Sequence, residues 1–380
     1  MSMEKNRKKI FIAGGGIAGL TLSLFLDPQR YEVVIFEKKR ISDEIGAAIS
    51  VFPNALSVLN EAGILHEILQ NAGEIKRSTL RTWDGKTIVQ SNFNSEFPII
   101  CMHRKALHQE LRMHSKATIV CDKEVIDFEN NISDVAVYFS DGSSASCDLL
   151  VGADGLHSNI RAKIIKDGKP IYRGSNVWRG VVKSNFDLGY ASETWGIKKR
   201  VGIVPIKEGY YGWWATIMEP QNTPDEPSTR EKLMSAFSDW HHPIPDFIEQ
   251  TETIMKHSIV DRTLIPGWSQ GRVVLLGDAA HPTTPNLGQG GCLAMEGAFV
   301  LSKCLEKYEL SKQALERYET LHFPRAKEII DGSLRFGKLA DLSNPLLVFA
   351  RNIAFKVTPP KLSQRMFGKY FNYRASKLEI

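Results

Sequence analysis

Lys9-Ile10-Phe11-Ile12-Ala13-Gly14-Gly15-Gly16-Ile17-Ala18-Gly19-Leu20 decides the fold of this 380-residue chain. A short apolar run stops at a glycine triplet, the pattern of a strand buried on both faces. Ile17 to Leu26 then reads as a helix, closed by Asp27-Pro28, where proline cannot continue it. Tyr31 to Phe36 reads as the next strand, with Glu37 and Lys38 at its end. Strand, glycine turn, helix and strand in that order predict the first βαβ unit of a doubly wound α/β sheet.

The turn also carries chemistry. In Gly14-x-Gly16-x-x-Gly19, the first glycine permits a tight turn and the second lets a pyrophosphate approach the backbone. The third lets helix and strand pack closely. The helix start at Ile17 and Ala18 supplies free N–H donors to phosphates. Glu37 stands where a carboxylate would accept from a ribose hydroxyl.

Working outward, two further turns of nucleotide type follow. Asp154-Gly155, with Ser158 and Arg161, lies midway, and Gly277-Asp278-Ala279-Ala280-His281-Pro282 closes an apolar strand at Arg272 to Leu276. Three such turns spread over most of the chain predict one dinucleotide gripped by distant parts of a single fold. No second complete GxGxxG is present, and Asp278 at a strand end could hold a second ribose hydroxyl, so FAD fits better than NAD. The loop through Pro285, Gly288, Gly290 and Gly291 precedes a helical pattern. Backbone N–H groups at such a helix start suit developing negative charge, which in a flavoenzyme lies at the N1–C2=O edge. His281 is read as a structural part of this loop.

Segments 53–70 and 105–113 read as helices, and strands between 125 and 151 as hairpins returning to the sheet. From 172 to 265 the pattern becomes strand-like and aromatic-rich, predicting an inserted, mostly antiparallel sheet with a helix near 230–250. The expected division is therefore 1–171 and 266–330 for the Rossmann-like cofactor domain, 172–265 for the substrate sheet, and 331–380 for a helical C-terminal part. Trp178, Arg179, Arg200, Tyr211 and Trp213 are the substrate-site candidates, because an arginine in an aromatic cavity orients an anionic or carbonyl-bearing ring. Trp213 and Trp214, being adjacent on a strand, face opposite sides.

Composition narrows the classes. Apolar residues at 43% and charged residues at 24% suit a globular protein, and the net charge of +5 forms no long basic block, which argues against nucleic acid. Five scattered cysteines without a CxxC pair argue against a disulfide framework or zinc site and suit a reducing cytoplasm. His241-His242 has no third ligand, so no metal is expected. The apolar run after the basic start is broken by glycines where a signal peptide would not be. No stretch is long enough to span a bilayer. The amphipathic stretch Leu346 to Val357 is read as a packed helix, with weak peripheral membrane contact as the lesser alternative.

The chain resembles the class A flavoprotein monooxygenases, the single-component FAD aromatic hydroxylases related to p-hydroxybenzoate hydroxylase. Gly14, Gly16, Gly19 and Glu37 match their ADP-binding turn. Val151 to Arg161, with Asp154, matches their DG motif, Gly277 and Asp278 their GD motif, and Arg104 an FAD-contacting arginine. The segments Gly46 to Asn54 and Thr284 to Gly291 are similar to FAD-dependent urate hydroxylases and 2-heptyl-4-quinolone hydroxylases alike. Val177-Trp178-Arg179 and the tail from Asn344 to Asn352 look more like the quinolone enzymes. Gly212 falls where the urate enzymes carry a substrate-facing tyrosine, a departure that argues against urate.

The resemblance implies that NADPH or NADH reduces FAD, and that O₂ then forms a flavin C4a-hydroperoxide. This hydroxylates a small aromatic or heteroaromatic substrate without a dedicated catalytic side chain. The rival expectations are a reductase or desaturase of the geranylgeranyl reductase type and a non-catalytic FAD-binding scaffold.

Overall fold

The computed structural model describes residues 7–40, 47–186 and 188–380, so Gly46 of the Gly46 to Asn54 match lies outside the described residues. Lys8–Ala13 is an inner strand of a six-stranded sheet. Its order is Ser269–Gln270, Val273–Leu275, Leu149–Gly152, Lys8–Ala13, Tyr31–Glu37, Thr118–Cys121. All neighbours run parallel except the Ser269–Gln270 edge. Ala13 ends level with Gly152 on one side and Phe36 on the other. The chain leaves Lys8–Ala13 toward Tyr31–Glu37 and returns on the opposite side at Leu149–Gly152. This is a topological switch point, where a crevice opens beyond the strand ends.

Both faces of the sheet are covered, which is why its strands read as continuous apolar runs. Helices Ile17–Phe25 and Gly290–Tyr308 pack together, with Lys312–Ala340 behind them. On another side a meander of Val125–Asn130, Val135–Phe139 and Ser144–Cys147 supplies Phe139, whose ring centroid lies 4.6 Å from that of Phe36.

The second sheet has seven strands. In order they are Met255–Asp261, Ile171–Lys183, Tyr210–Met218, Lys199–Pro205, Ala191–Trp195, Arg77–Thr82 and Thr87–Asn92. The last two come from far upstream, and Ala191–Trp195 joins Arg77–Thr82 in parallel, the single parallel pairing in this sheet. Sequence patterning missed that hairpin because only Thr79 of Arg77–Thr82 is buried, so no apolar alternation marks it.

The single helix expected near 230–250 is two, Thr229–Phe237 and Ile244–Gln250, separated around His241-His242-Pro243. The first begins with a serine N-cap: Ser228 Oγ accepts from Glu231 N–H at 3.2 Å and donates to its carboxylate at 2.6 Å. Both helices bury Leu233, Phe237, Phe247 and Ile248 against one face of the seven-stranded sheet. Its other face looks toward strand Ala48–Val51, and a Cβ added at Gly212 would lie 2.1 Å from that of Ala48. Helices Pro345–Val357 and Pro360–Phe371 close the chain. Among the described residues no helix is long and apolar enough to cross a membrane.

Candidate functional site

The glycines of the first turn serve three different needs. Gly14 has φ +107°, and a Cβ there would lie 2.3 Å from the Ala153 carbonyl oxygen. A Cβ on Gly19 would lie 2.2 Å from the Gly14 carbonyl oxygen, so helix and strand meet backbone to backbone. A Cβ on Gly16 would meet nothing within 4 Å, because this residue faces open space. Gly16 is also the N-cap of helix Ile17–Phe25, with no side-chain cap and no acidic residue in the first turn. Its amides are left for a ligand.

Glu37 holds the turn in place. Its Oε2 accepts from Gly15 N–H and its Oε1 from Lys39 N–H, each at 2.9 Å, which leaves further lone pairs toward the crevice. Lys38 turns outward to pair with Glu124 at 3.4 Å. His108, which sequence reading did not select, places Nε2 2.6 Å from the Gly15 carbonyl and donates to it.

The middle and late motifs are tied together by Arg161, which is fully buried. It pairs with Asp167 at 2.8 Å and donates to the carbonyls of Ala279 at 2.9 Å and Ala280 at 2.7 Å. The arginine of the DG stretch is therefore a structural clamp on the turn that presents Asp278. Asp154 belongs to the turn that starts helix Asn159–Ile164, and burial raises its pKa. Gly277 has φ +61°, and a Cβ there would lie 2.7 Å from that of Ala18. Gly291 sits 3.5 Å from Ile17 by the same measure. The turns at Gly277 and Gly291 thus converge with the first glycine turn on the first residues of one helix.

Asp278 remains open to solvent, yet protein surrounds it, and this burial raises its pKa while the positive charge of Arg104 opposes the rise. Arg104 also acts on Arg179, whose pKa is lowered first by burial and then by that charge. His257 is lowered by burial, Arg179 and Arg104, and so joins the same crevice. The loop from Pro285 ends with Gly288 at φ +66° against Phe52. Helix Gly290–Tyr308 then starts with no side-chain cap and no acidic residue in its first turn. Gln289 accepts from Asn54 Nδ2 at 2.8 Å, and Asn54 also donates to Glu296.

Register separates the substrate candidates. Trp178 lies opposite Ala215, Gly180 opposite Trp213 and Val182 opposite Tyr211, so the named aromatics share the face covered by the two short helices. Trp178 donates to Asp225 at 2.8 Å, Trp213 donates to Thr251 Oγ1 at 2.8 Å, and the Tyr211 ring lies 5.2 Å from Phe247. These three pack away from the crevice, contrary to their selection as substrate residues. The alternation that puts them there leaves Arg179 and Trp214 on the crevice side.

Arg200 is on the crevice side too but is already engaged. Only 2% exposed, it pairs with Glu193 at 3.6 Å and Asp341 at 3.4 Å, donates to Asn286 and lies 5.4 Å over the Trp214 ring. Sequence reading missed Asn286, Glu193 and Asp341, since no motif links them to Arg200; it left open which of Trp213 and Trp214 lines the cavity, and register puts Trp214 on the crevice side.

His281 lies beneath the cofactor loop, its ring 5.0 Å from His322 and 5.3 Å from Trp268. Burial pushes His281 down to about 3, with Arg161 adding to the effect, and burial with the charges of His281 and Arg325 pushes His322 well below its usual range. A histidine depressed in the folded state binds its proton more readily when unfolded. Stability is therefore complete above the ordinary pKa near 6.5 and falls as pH drops below it, by up to about 1.4 kcal/mol per pH unit for each proton. Denaturant midpoints measured from pH 7 to pH 5 should fall, and His322→Phe should flatten that slope. An unchanged slope in the variant would refute this account.

The cradle fits FAD: open space at Gly16, uncapped helix starts at Ile17 and Gly290, and a carboxylate at Asp278. Comparison with known proteins agrees. A family model described as FAD binding domain matches residues 7–333. The chain is 39% identical to aurachin C monooxygenase/isomerase of Stigmatella aurantiaca, over 90% of this chain and 92% of that protein. It is 30% identical to a 3-amino-4-hydroxybenzoate 2-monooxygenase of Streptomyces platensis, over 86% and 87%. The structure of Klebsiella pneumoniae HpxO complexed with FAD and uric acid is similar at TM-score 0.85, with 26% identity and 97% of each chain covered.

Proposed function

We propose, from the premise that this chain belongs to the FAD binding domain family, that its substrate is an uncharged planar heteroaromatic ring of the 4-quinolone kind. The protein is an FAD-dependent monooxygenase. What carries the cofactor assignment is the convergence of the Gly14–Gly19, Gly277–Asp278 and Gly288–Gly291 turns on Ile17 and Ala18. What supports an uncharged ring is Arg200, whose charge is answered by Glu193 and Asp341 and is not left for an anion. The resemblance to urate hydroxylases also sets Gly212, which has no side chain, where it implies a substrate-facing tyrosine.

Bound FAD, once reduced by NADPH or NADH, supplies the activation of O₂ that no side chain here provides. The chain's own residues orient and shield. The amides at Gly16, Ile17 and Ala18 would hold its phosphate oxygens, and Glu37 and Asp278 would accept hydrogen bonds from its ribose hydroxyls. The positive charge of Arg104 acts on Asp278 across the crevice. The helix start at Gly290 and Gly291, positioned by Pro285 and Gly288, stabilises negative charge on the flavin ring. Arg179 orients a ring carbonyl, and Trp214 covers it on the sheet side, keeping water out.

Nicotinamide oxidation should be stimulated by 2-alkyl-4-quinolones more than by salicylates or purines, and the product should carry oxygen from ¹⁸O₂. Full product yield without O₂ would instead favour a reductase. Equal stimulation by purines would remove the substrate assignment and leave the monooxygenase standing.

A further inference from the structure

We propose that helices Pro345–Val357 and Pro360–Phe371 form a docking surface for an anionic lipid bilayer. The first helix is apolar on two sides. Inward, Phe355 packs at 5.5 Å on Trp195, and Arg351 is buried with its guanidinium 4.6 Å over the same ring. Outward, Leu346, Phe349, Ile353 and Val357 recur at helical spacing along one stripe, and are 78%, 66%, 45% and 70% exposed. On the second helix Leu362 and Met366 are also exposed, at 49% and 53%. With the inward face already packed, an exposed apolar stripe along the opposite side marks a contact site.

Charge decides which contact. No Asp or Glu occurs between Asp341 and Glu379, while Arg351, Lys356, Lys361, Arg365 and Lys369 all fall within the two helices. Lys356 and Arg365 are exposed beside the apolar stripe. A second copy docked on this face would set the exposed Lys356 and Arg365 against their like, whereas Lys369 is already answered by Glu328 at 3.3 Å. An anionic bilayer offers hydrocarbon to the stripe and phosphates to the lysine and arginine. The second helix ends against the cofactor loop: Phe371 stacks on Phe52 at 4.6 Å, and Phe52 abuts Gly288. This inference does not depend on the substrate proposed above.

The test is sedimentation of the FAD-loaded enzyme with vesicles of phosphatidylcholine alone or mixed with phosphatidylglycerol. Roughly tenfold or stronger preference for the anionic vesicles is expected from two surface cations, weakening as salt is added. Phe349→Glu/Ile353→Glu should abolish binding while flavin absorbance and thermal midpoint stay at the parent values. Lys356→Glu/Arg365→Glu, which leaves the apolar stripe intact, should lose the anionic preference. No binding to anionic vesicles at low salt, equal binding to both vesicles, or retained binding in both variants would overturn the proposal. A dimer in light scattering that Phe349→Glu dissociates would assign the face to a second copy and also overturn it.

Discussion

Gly14→Val yields protein that folds around its sheets but purifies without flavin. The backbone at Gly14 holds φ +107°, a region that costs a side-chain-bearing residue about 1–3 kcal/mol. A Cβ would also press to 2.3 Å from the Ala153 carbonyl oxygen, an overlap with backbone that no rotamer relieves. Overpacking of that sort adds about 1–3 kcal/mol. The turn escapes only by moving, and a moved turn no longer aims the amides of Gly16 and Ile17 into the crevice. A penalty of about 2–6 kcal/mol on the bound conformation weakens FAD by roughly thirtyfold to tens of thousandfold.

Gly63→Ala is the matched control, since Gly63 has φ +74° but nothing within 4 Å of a Cβ. It carries the strain without the clash and lies outside the crevice motifs, so it should keep its flavin. Titration of apoprotein with FAD, followed by flavin fluorescence, compares the two. Parent-like affinity in Gly14→Val would show that the turn does not hold the pyrophosphate.

Arg325→Met should unfold at markedly lower denaturant. Glu296 is fully buried, and its oxygens accept from Arg325 Nε at 3.0 Å and Nη2 at 3.1 Å. Removing the cation strands a carboxylate inside the core, a loss of about 3–5 kcal/mol. The same arginine donates to the carbonyls of Lys369 at 3.1 Å and Tyr370 at 2.7 Å, so the last helix loosens with it. Through Asn54, Glu296 also reaches Gln289 at the start of helix Gly290–Tyr308, and FAD binding should weaken in parallel. Arg325→Met/Glu296→Leu, which removes both charges, should recover most of the stability, because replacing a buried pair by apolar groups is often neutral. A double variant no more stable than the single one would mean that the pair itself, not the stranded charge, is the source of the effect.

The parallel sheet and the crevice at its end were legible in sequence for a local reason. A strand covered on both faces must be apolar throughout, and a glycine that bears a positive φ or a backbone contact cannot be replaced silently. Lys9 to Gly19 shows both signals within one turn of helix and one strand. Much of the substrate side was not legible. Strand Arg77–Thr82 buries one threonine and is recognisable only once Ala191–Trp195 pairs with it. Alternation along Ile171–Lys183 shows that Trp178 and Arg179 part company, but which of them meets the crevice depends on where the two short helices land. Arg200 reads as an anion receptor until Glu193 and Asp341, from another strand and from the end of the long helix, are seen to neutralise it.

Sequence alone therefore determined the cofactor turn, the switch-point sheet and the flavin, because backbone sterics and burial act between near neighbours. Tertiary structure alone decided which aromatic faces the crevice, which arginine is free for a substrate and which helix face is left bare. Those outcomes depend on the pairing of surfaces and charges far apart in the chain, whose relative placement no local pattern encodes.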